Sequence, residues 1–260
     1  MTESPESRQQ RILRSMIHDN VVAVGELAAL LQVSPATVRR DLKVLQQRGL
    51  LHRTHGGARP IEQSLYASLP LDSSYEEQVR QHANAKRRIG LAAAALVGDG
   101  DTVALTPGTT TAQVARSIHN RKGVTIIVTS VNVAMELSNR QDLTVFVPGG
   151  FLRPSWFSLI GPATIRAIQD FYVDKLFIGV NGVHPERGLT SGNHDEAAVN
   201  RALVEQSRQR IVVADHTKLG AVTSAVICPT SMIETLITDA EATDEVIAPF
   251  EAMGIEVIRA

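Results

Sequence analysis

The sequence predicts an α/β protein in two unequal parts: a small, basic, helical head and a larger acidic body of alternating strands and helices. Three observations carry this. The formal charge of −1 over 260 residues hides nine Lys/Arg against five Asp/Glu in residues 1–60, with the acidic excess in the rest. The first 58 residues hold three apolar patterns at helical spacing and then a glycine-tipped strand pair. From about residue 100 onward, short Val/Ile/Thr-rich runs alternate with helical stretches.

Composition bounds the class. Hydrophobic residues at 43% and charged residues at 20% suit a globule with a sizeable core and exclude disorder throughout. The single cysteine, Cys228, excludes an intrachain disulfide and a cysteine-clustered zinc site, and it fits a reducing cytoplasm. The N-terminus lacks the apolar core of a secretory signal, and no apolar run reaches the roughly 20 residues of a membrane span.

In the head, Ile12, Leu13, Met16 and Ile17 mark a first helix, and Leu27, Leu30 and Leu31 a second. Val38, Leu42 and Leu45 mark the third. Ser34 suits its N-cap, Pro35 its first helical position and Gly49 its end. Leu-Leu-His-Arg-Thr, Gly56-Gly57 and Ala-Arg-Pro then read as a wing. At 100° per residue, Leu42 and Leu45 fall within about 40° of Val38, while Arg40, Lys43 and Gln47 lie opposite, flanked by Thr37 and Arg39. Residues 33–60 carry six basic side chains against one acidic. A helix with such a face fits the DNA major groove, with Arg53 and His55 of the wing reaching backbone or minor groove. Ser34, Thr37, Arg39, Arg40, Lys43, Arg53 and His55 are therefore the expected DNA contacts of a winged helix-turn-helix domain at 1–58. A protein-binding winged helix is the alternative, which the charge excess disfavours.

Residues 59–72 contain two prolines and no period, and read as a linker. The body, 73–260, opens with a capping box at Ser74 and Glu77 and a helix or helix pair that stops at Gly-Asp-Gly-Asp. Strands follow at TVAL, TIIVTS, TVFVP, KLFIGVN, RIVVAD, SAVIC, TLITD and IEVI. Their alternation with helices predicts a Rossmann-like, mostly parallel sheet covered on both faces, with ligands beyond the carboxyl ends of its strands. Polar residues and glycines gather at those ends: Thr106, Gly108, Thr109, Thr110 and Thr111 after TVAL, then Gly149, Gly150 and Arg153. Asn181 and Gly182 follow KLFIGV, and Asp215 and Lys218 follow RIVVA. Hydroxyls beside the free N–H groups of a helix start make a phosphate or polyol cradle, although threonines there also serve as caps, and Gly-Gly and Asn-Gly as turns. The Gly-Lys-Ser/Thr of a nucleotide P-loop is missing.

The head stretch VSPATVRRDLKVLQQRGLLHRTHGGA resembles the N-terminal signature of the DeoR family of bacterial transcriptional regulators, most specifically in Arg-Arg-Asp-Leu and His-Gly-Gly-Ala. The body stretches GDGDTVALTPGTTT, VPGGFLRPSWFSLIGP, DKLFIGVNGV, GLTSGNHDEAAVNRALVEQS and VVADHTKLG resemble the family's C-terminal sensor domain, whose fold is related to ribose-5-phosphate isomerase. The resemblance implies a cytoplasmic, homo-oligomeric repressor of carbohydrate genes that binds operator DNA and responds to a phosphorylated sugar. It places phosphate at Gly108, Thr109, Thr110 and Thr111, with Asn181, Gly182, Asp215 and Lys218 near the sugar or supporting that wall. Thr106-Pro107 and Asn193-His194-Asp195 depart from the family pattern where sugar specificity is set. The strand end Gly-Val-Asn-Gly-Val lacks the acids of the related isomerases, so no catalysis is expected. His184, His194 and His216 show no metal-ligand spacing, so neither a metal nor a cofactor is expected.

Overall fold

The computed structural model describes residues 4–16, 22–48, 50–59 and 73–260. Ile17, Gly49 and the expected linker beyond Arg59 lie outside the described residues. Two compact units form, one of residues 1–71 with 136–141 and the other of residues 72–135 with 142–260. No helix among the described residues is long and apolar enough to cross a membrane.

The head contains α1 (Pro5–Ser15), α2 (Val24–Leu31) and α3 (Pro35–Gln47). Ile12, Met16, Leu27, Leu31, Val38, Leu42 and Leu45 bury together with Val22, Leu51 and Ala58. Leu30 does not join them: it is 53% exposed, and the α2 stripe is carried by Leu27 and Leu31, one turn apart. Helix α3 starts as its sequence predicts. Ser34 is extended, its Oγ accepts the Thr37 N–H at 3.2 Å, and Pro35 takes the first turn. The wing has one strand more than expected. Between β2 (His52–Arg53) and β1 (Val22–Ala23) runs β3 (Gly57–Arg59), antiparallel to both. A two-residue strand leaves no periodicity to read.

Asp41 lies about 60° from Val38 on the wheel, toward the core, and is 3% exposed. Arg8 of α1 holds it with two bonds, Nε donating to Oδ2 at 2.5 Å and Nη2 to Oδ1 at 3.1 Å. Gln9 Nε2 donates to Oδ1 at 3.4 Å. This fork ties α1 to α3 and so orients the outer face of α3.

In the body, the expected helix pair is α4 (Ser73–Arg80) and α5 (Ala83–Ala95). The chain then builds β4 (Thr102–Leu105), α6 (Thr109–Ser117), β5 (Val124–Val128), α7 (Val131–Leu137) and β6 (Leu143–Phe146). A hairpin of β7 (Phe151–Arg153) and β8 (Ser158–Ile160) follows, then α8 (Pro162–Gln169) and β9 (Val173–Ile178). Next come β10 (Gly182–His184), β11 (Gly188–Ser191), α9 (His194–Gln206) and β12 (Ser207–Val213). The chain ends through β13 (Ala225–Cys228), β14 (Thr235–Thr238), α10 (Asp244–Ala252) and β15 (Glu256–Arg259).

Seven strands form one parallel sheet in the order β15-β14-β12-β9-β4-β5-β6. Alternate residues bury on opposite faces. Leu176, Ile178, Val212 and Leu236 pack with Ile168 of α8, Leu203 of α9 and Phe250 of α10. Helices α5 and α6 pack on the sheet and on each other. Their close approach needs Gly90, where a Cβ would lie 2.6 Å from the backbone of Gln113. The SAVIC run is a strand, as expected, but it lies outside the parallel sheet. It pairs antiparallel with β11 in a small sheet of order β10-β11-β13. The segment between the turn at His216–Lys218 and Ala225 is too short for the crossover that a parallel return requires.

Asp41→Ala is expected to remove the two-bond fork between α1 and α3 and to destabilise the head by about 3 kcal/mol. Amide exchange along α3 should then accelerate roughly a hundredfold, and unchanged exchange rates would refute the role given to this pair.

Candidate functional site

In the head, α3 offers an outer surface made as its wheel predicts. Arg39, Arg40 and Lys43 are exposed, as are Arg53 and His55 on the wing. Ser34 and Thr37 sit at the start of α3 with their hydroxyls 2.9 Å apart. All seven expected DNA contacts lie within α3 and its cap or on the wing.

In the body, a cavity of about 230 Å³ opens at the carboxyl ends of β4, β9 and β12, three adjacent strands. Of the expected residues, Gly108, Thr109, Thr110, Arg153, Asn181, Asp215 and Lys218 line it. Gly108 caps α6 at φ 151, a backbone region that favours glycine. Thr109 and Thr110 follow in the first turn, where helical N–H groups lack intrahelical partners.

Five expected residues do not line the cavity. Thr106 is fully buried beneath it, and its Oγ1 accepts the Gly179 N–H at 2.9 Å, which joins the ends of β4 and β9. Thr111 Oγ1 donates to the Thr106 carbonyl at 2.7 Å and is turned away from the ligand side. Gly149 accepts from Thr164 Oγ1 at 2.7 Å, and Gly150 packs against the same side chain. Gly182 belongs to β10, where a Cβ would meet the Ala221 carbonyl at 2.3 Å.

The cavity also gathers side chains that strand-end reasoning missed. Lys86 of α5 is 2% exposed, and its Nζ donates to the Gln78 carbonyl of α4 at 2.5 Å. Burial holds its pKa down to about 8, while Asp215 pulls it up and Lys218 pushes it down. The signal was present in the sequence: Lys86, Ile89 and Ala93 share one apolar stripe of α5, where a lysine is out of place. Asn193, Glu196 and Asn200 project from one face of α9 into the cavity. Asn193 also caps α9, accepting the Glu196 N–H at 3.0 Å. Glu196 Oε1 accepts from Arg153 Nη1 at 2.8 Å and from Ser158 Oγ at 2.5 Å. Asn200 is 5% exposed, and its Oδ1 has no hydrogen-bond partner within the protein. Trp156 closes one side, held edge to face by Tyr75 of α4 at a ring separation of 5.8 Å. The lining carries three cations, Lys86, Arg153 and Lys218, against two carboxylates, Glu196 and Asp215. It is therefore suited to an anionic ligand that also bears hydroxyls.

A winged helix with an exposed basic face, joined to an α/β domain with a polar cavity at its strand ends, defines the class: a DNA-binding regulator with a sensor-type domain. The comparisons agree. The model of the DeoR-like helix-turn-helix domain matches residues 8–64, and that of the DeoR C-terminal sensor domain matches residues 81–240. The chain is 32% identical to the HTH-type transcriptional regulator GlpR of Haloferax volcanii, over 98% of this chain and 97% of that protein. It is 30% identical to the glycerol-3-phosphate regulon repressor of Escherichia coli, over 90% of each. Ribose 5-phosphate isomerase A of Methanocaldococcus jannaschii is similar in structure with a TM-score of 0.39 and 20% identity, over 55% of this chain and 54% of that one. The chain belongs to the DeoR family of transcriptional regulators, which are regulators and not enzymes.

Lys86 titrates near its ordinary 10.5 when unfolded and near 8 in the fold. Between these values the unfolded chain holds more protons, so stability rises with pH. Below about 8 both states are charged, and the fold carries the cost of a buried ammonium, on the order of 3 kcal/mol. Lys86→Met is therefore expected to raise the melting temperature at pH 7, with the gain shrinking at pH 10. Thermal unfolding at both pH values checks this, and a pH-independent effect would contradict it.

Proposed function

We propose that this protein is a repressor of carbohydrate-metabolism genes whose hold on operator DNA is controlled by a phosphorylated sugar or polyol bound in the body cavity. The observation that carries the reading is the unsatisfied, buried Asn200 Oδ1 in a cavity shared with the buried ammonium of Lys86. A buried acceptor without a partner is costly and calls for a donor. A ligand hydroxyl supplies that donor, and a phosphate group supplies the charge for Lys86 and Lys218. The first turn of α6, with Thr109 and Thr110, suits the phosphate. The Glu196 carboxylate and the Asn181 and Asn193 side chains suit the hydroxyls. A volume of about 230 Å³ suits a small sugar phosphate rather than a nucleotide. The glycerol-3-phosphate regulon repressor among the relatives supports the same ligand class.

On DNA, α3 occupies the major groove, and Arg53 and His55 of the wing contact the flanking backbone or minor groove. One recognition helix reads too few base pairs for useful specificity, so the protein acts as a homo-oligomer on repeated half-sites. The effector controls binding by preferring one arrangement of the assembly over another.

Arg40→Ala is expected to weaken operator binding by about 1–3 kcal/mol while effector binding stays intact. Fluorescence anisotropy at one fixed salt concentration measures this, and normal operator affinity would remove Arg40 from the contact face. Thr110→Val combined with Lys218→Ala should bind operator normally but ignore the effector. A thermal-shift screen of sugar and polyol phosphates identifies the effector to use. A double variant that still answers to it would place the site elsewhere.

A further inference from the structure

Outside the cavity, three side chains from distant parts of the body converge. His82 stands at the corner between α4 and α5, His216 in the turn after β12, and Glu241 in the loop after β14. One donor atom from each lies within 4.8 Å of the other two. His216 Nε2 is 3.6 Å from Glu241 Oε2, and the two imidazoles meet edge to face with centroids 4.9 Å apart. We propose that His82, His216 and Glu241 form a binding site for a divalent transition-metal cation of the zinc type.

Proximity alone would describe a surface ion pair, and two further features point to a cation. The first is the support behind His216. Its Nδ1 is 2.9 Å from Oδ1 of Asp239, a fully buried carboxylate. Asp239 is itself fixed by the His216 N–H at 2.8 Å and the Glu241 N–H at 3.0 Å. A carboxylate on Nδ1 keeps the proton there and leaves the Nε2 lone pair for a metal, the usual support of a ligating histidine. The same carboxylate also anchors the backbone of Glu241, so one buried group orients two of the three ligands. The second feature is the backbone of His82. It has φ 50, in the left-handed region, which costs a residue with a side chain about 1 kcal/mol or more. That conformation turns the chain from α4 into α5 and brings the His82 ring against His216.

The donor chemistry selects the cation. Two imidazoles and a carboxylate suit zinc and its neighbours, whereas magnesium and calcium take oxygen shells. Zinc holds such ligands at about 2.0–2.2 Å in a tetrahedron, so neighbouring donors stand roughly 3.4 Å apart. The existing separations approach this, and the exposed Glu241 and His82 side chains can close the remainder by rotation. Three protein ligands leave the fourth position to water. Lys86 follows His82 by one turn of α5, and His216 stands between Asp215 and Lys218. A bound cation therefore pins together the elements that carry both cavity lysines. The site itself does not depend on the identity of the effector.

The test is calorimetric titration of Zn²⁺ into the full chain after chelation, with Co²⁺ absorption as a second readout. Saturable binding of one equivalent is expected, with the visible Co²⁺ bands of a four-coordinate nitrogen–oxygen site. His82→Gln and Glu241→Gln should each weaken binding at least about tenfold, with circular dichroism unchanged because both side chains are exposed. His194→Gln, outside the cluster, should bind as the unsubstituted protein does. The proposal is overturned by an absence of saturable binding, by wild-type affinity in either cluster variant, or by an equal loss in His194→Gln.

Discussion

The parallel sheet is the constraint on which the body depends. Parallel strands cannot be joined by hairpins, so each return takes a crossover over a face, and all seven carboxyl ends open on one edge. Because β12, β9 and β4 are adjacent, their exits at Asp215, Gly179 and Thr106 become neighbours only about 5 Å apart per strand. The starts of α6 and α9 arrive at the same edge. Polar backbone and hydroxyl groups thus collect there without any binding residue having first been placed for that purpose. Gly90 then sets how closely α5 lies on α6, and so how near Lys86 comes to Thr109 and Thr110.

Two buried ionic groups in this molecule have opposite meanings. Asp41 in the head is met by a two-bond fork from Arg8, and its charge is answered inside the protein. That arrangement orients helices. Lys86 in the body has one backbone carbonyl and a shared field from Asp215 and Lys218, and Asn200 near it has an acceptor with no partner. A fold seeking stability alone would replace both with apolar groups. Both line the cavity and keep hydrogen-bonding capacity there.

Much of the head was legible because its information is local. Arg40 and Lys43 oppose Val38 and Leu42 within a single helix of 13 residues, and Ser34 and Pro35 announce where it starts. In the body, TVAL followed by Thr-Pro-Gly-Thr-Thr-Thr marked a strand end that opens on the cavity. The sequence there could not separate Thr109 and Thr110, which line the cavity, from Thr111, whose hydroxyl folds back onto Thr106. Gly149, Gly150 and Gly182 looked like ligand-facing glycines. Gly150 and Gly182 serve close approaches of backbone or side chain, and Gly149 a left-handed backbone at φ 70, reasons equally good for a glycine. Asn200 gave no signal at all, because an asparagine two turns into a helix looks the same whether or not its oxygen has a partner.

Periodicity is a property of residues two to four apart, and it marked the amphipathic third helix of the head and the alternation of strands with helices, while charge counts along the chain marked a basic head and an acidic body. Those features already narrow the protein to a DNA-binding regulator with an α/β sensor. Contacts between residues far apart in the chain are decided by strand order and helix packing, to which local pattern is blind. Only the assembled sheet brought Lys86 to Asp215, Arg153 to Glu196, and His82 to His216 and Glu241. It also moved the SAVIC strand into a second, antiparallel sheet, since the connection before it is too short to cross over.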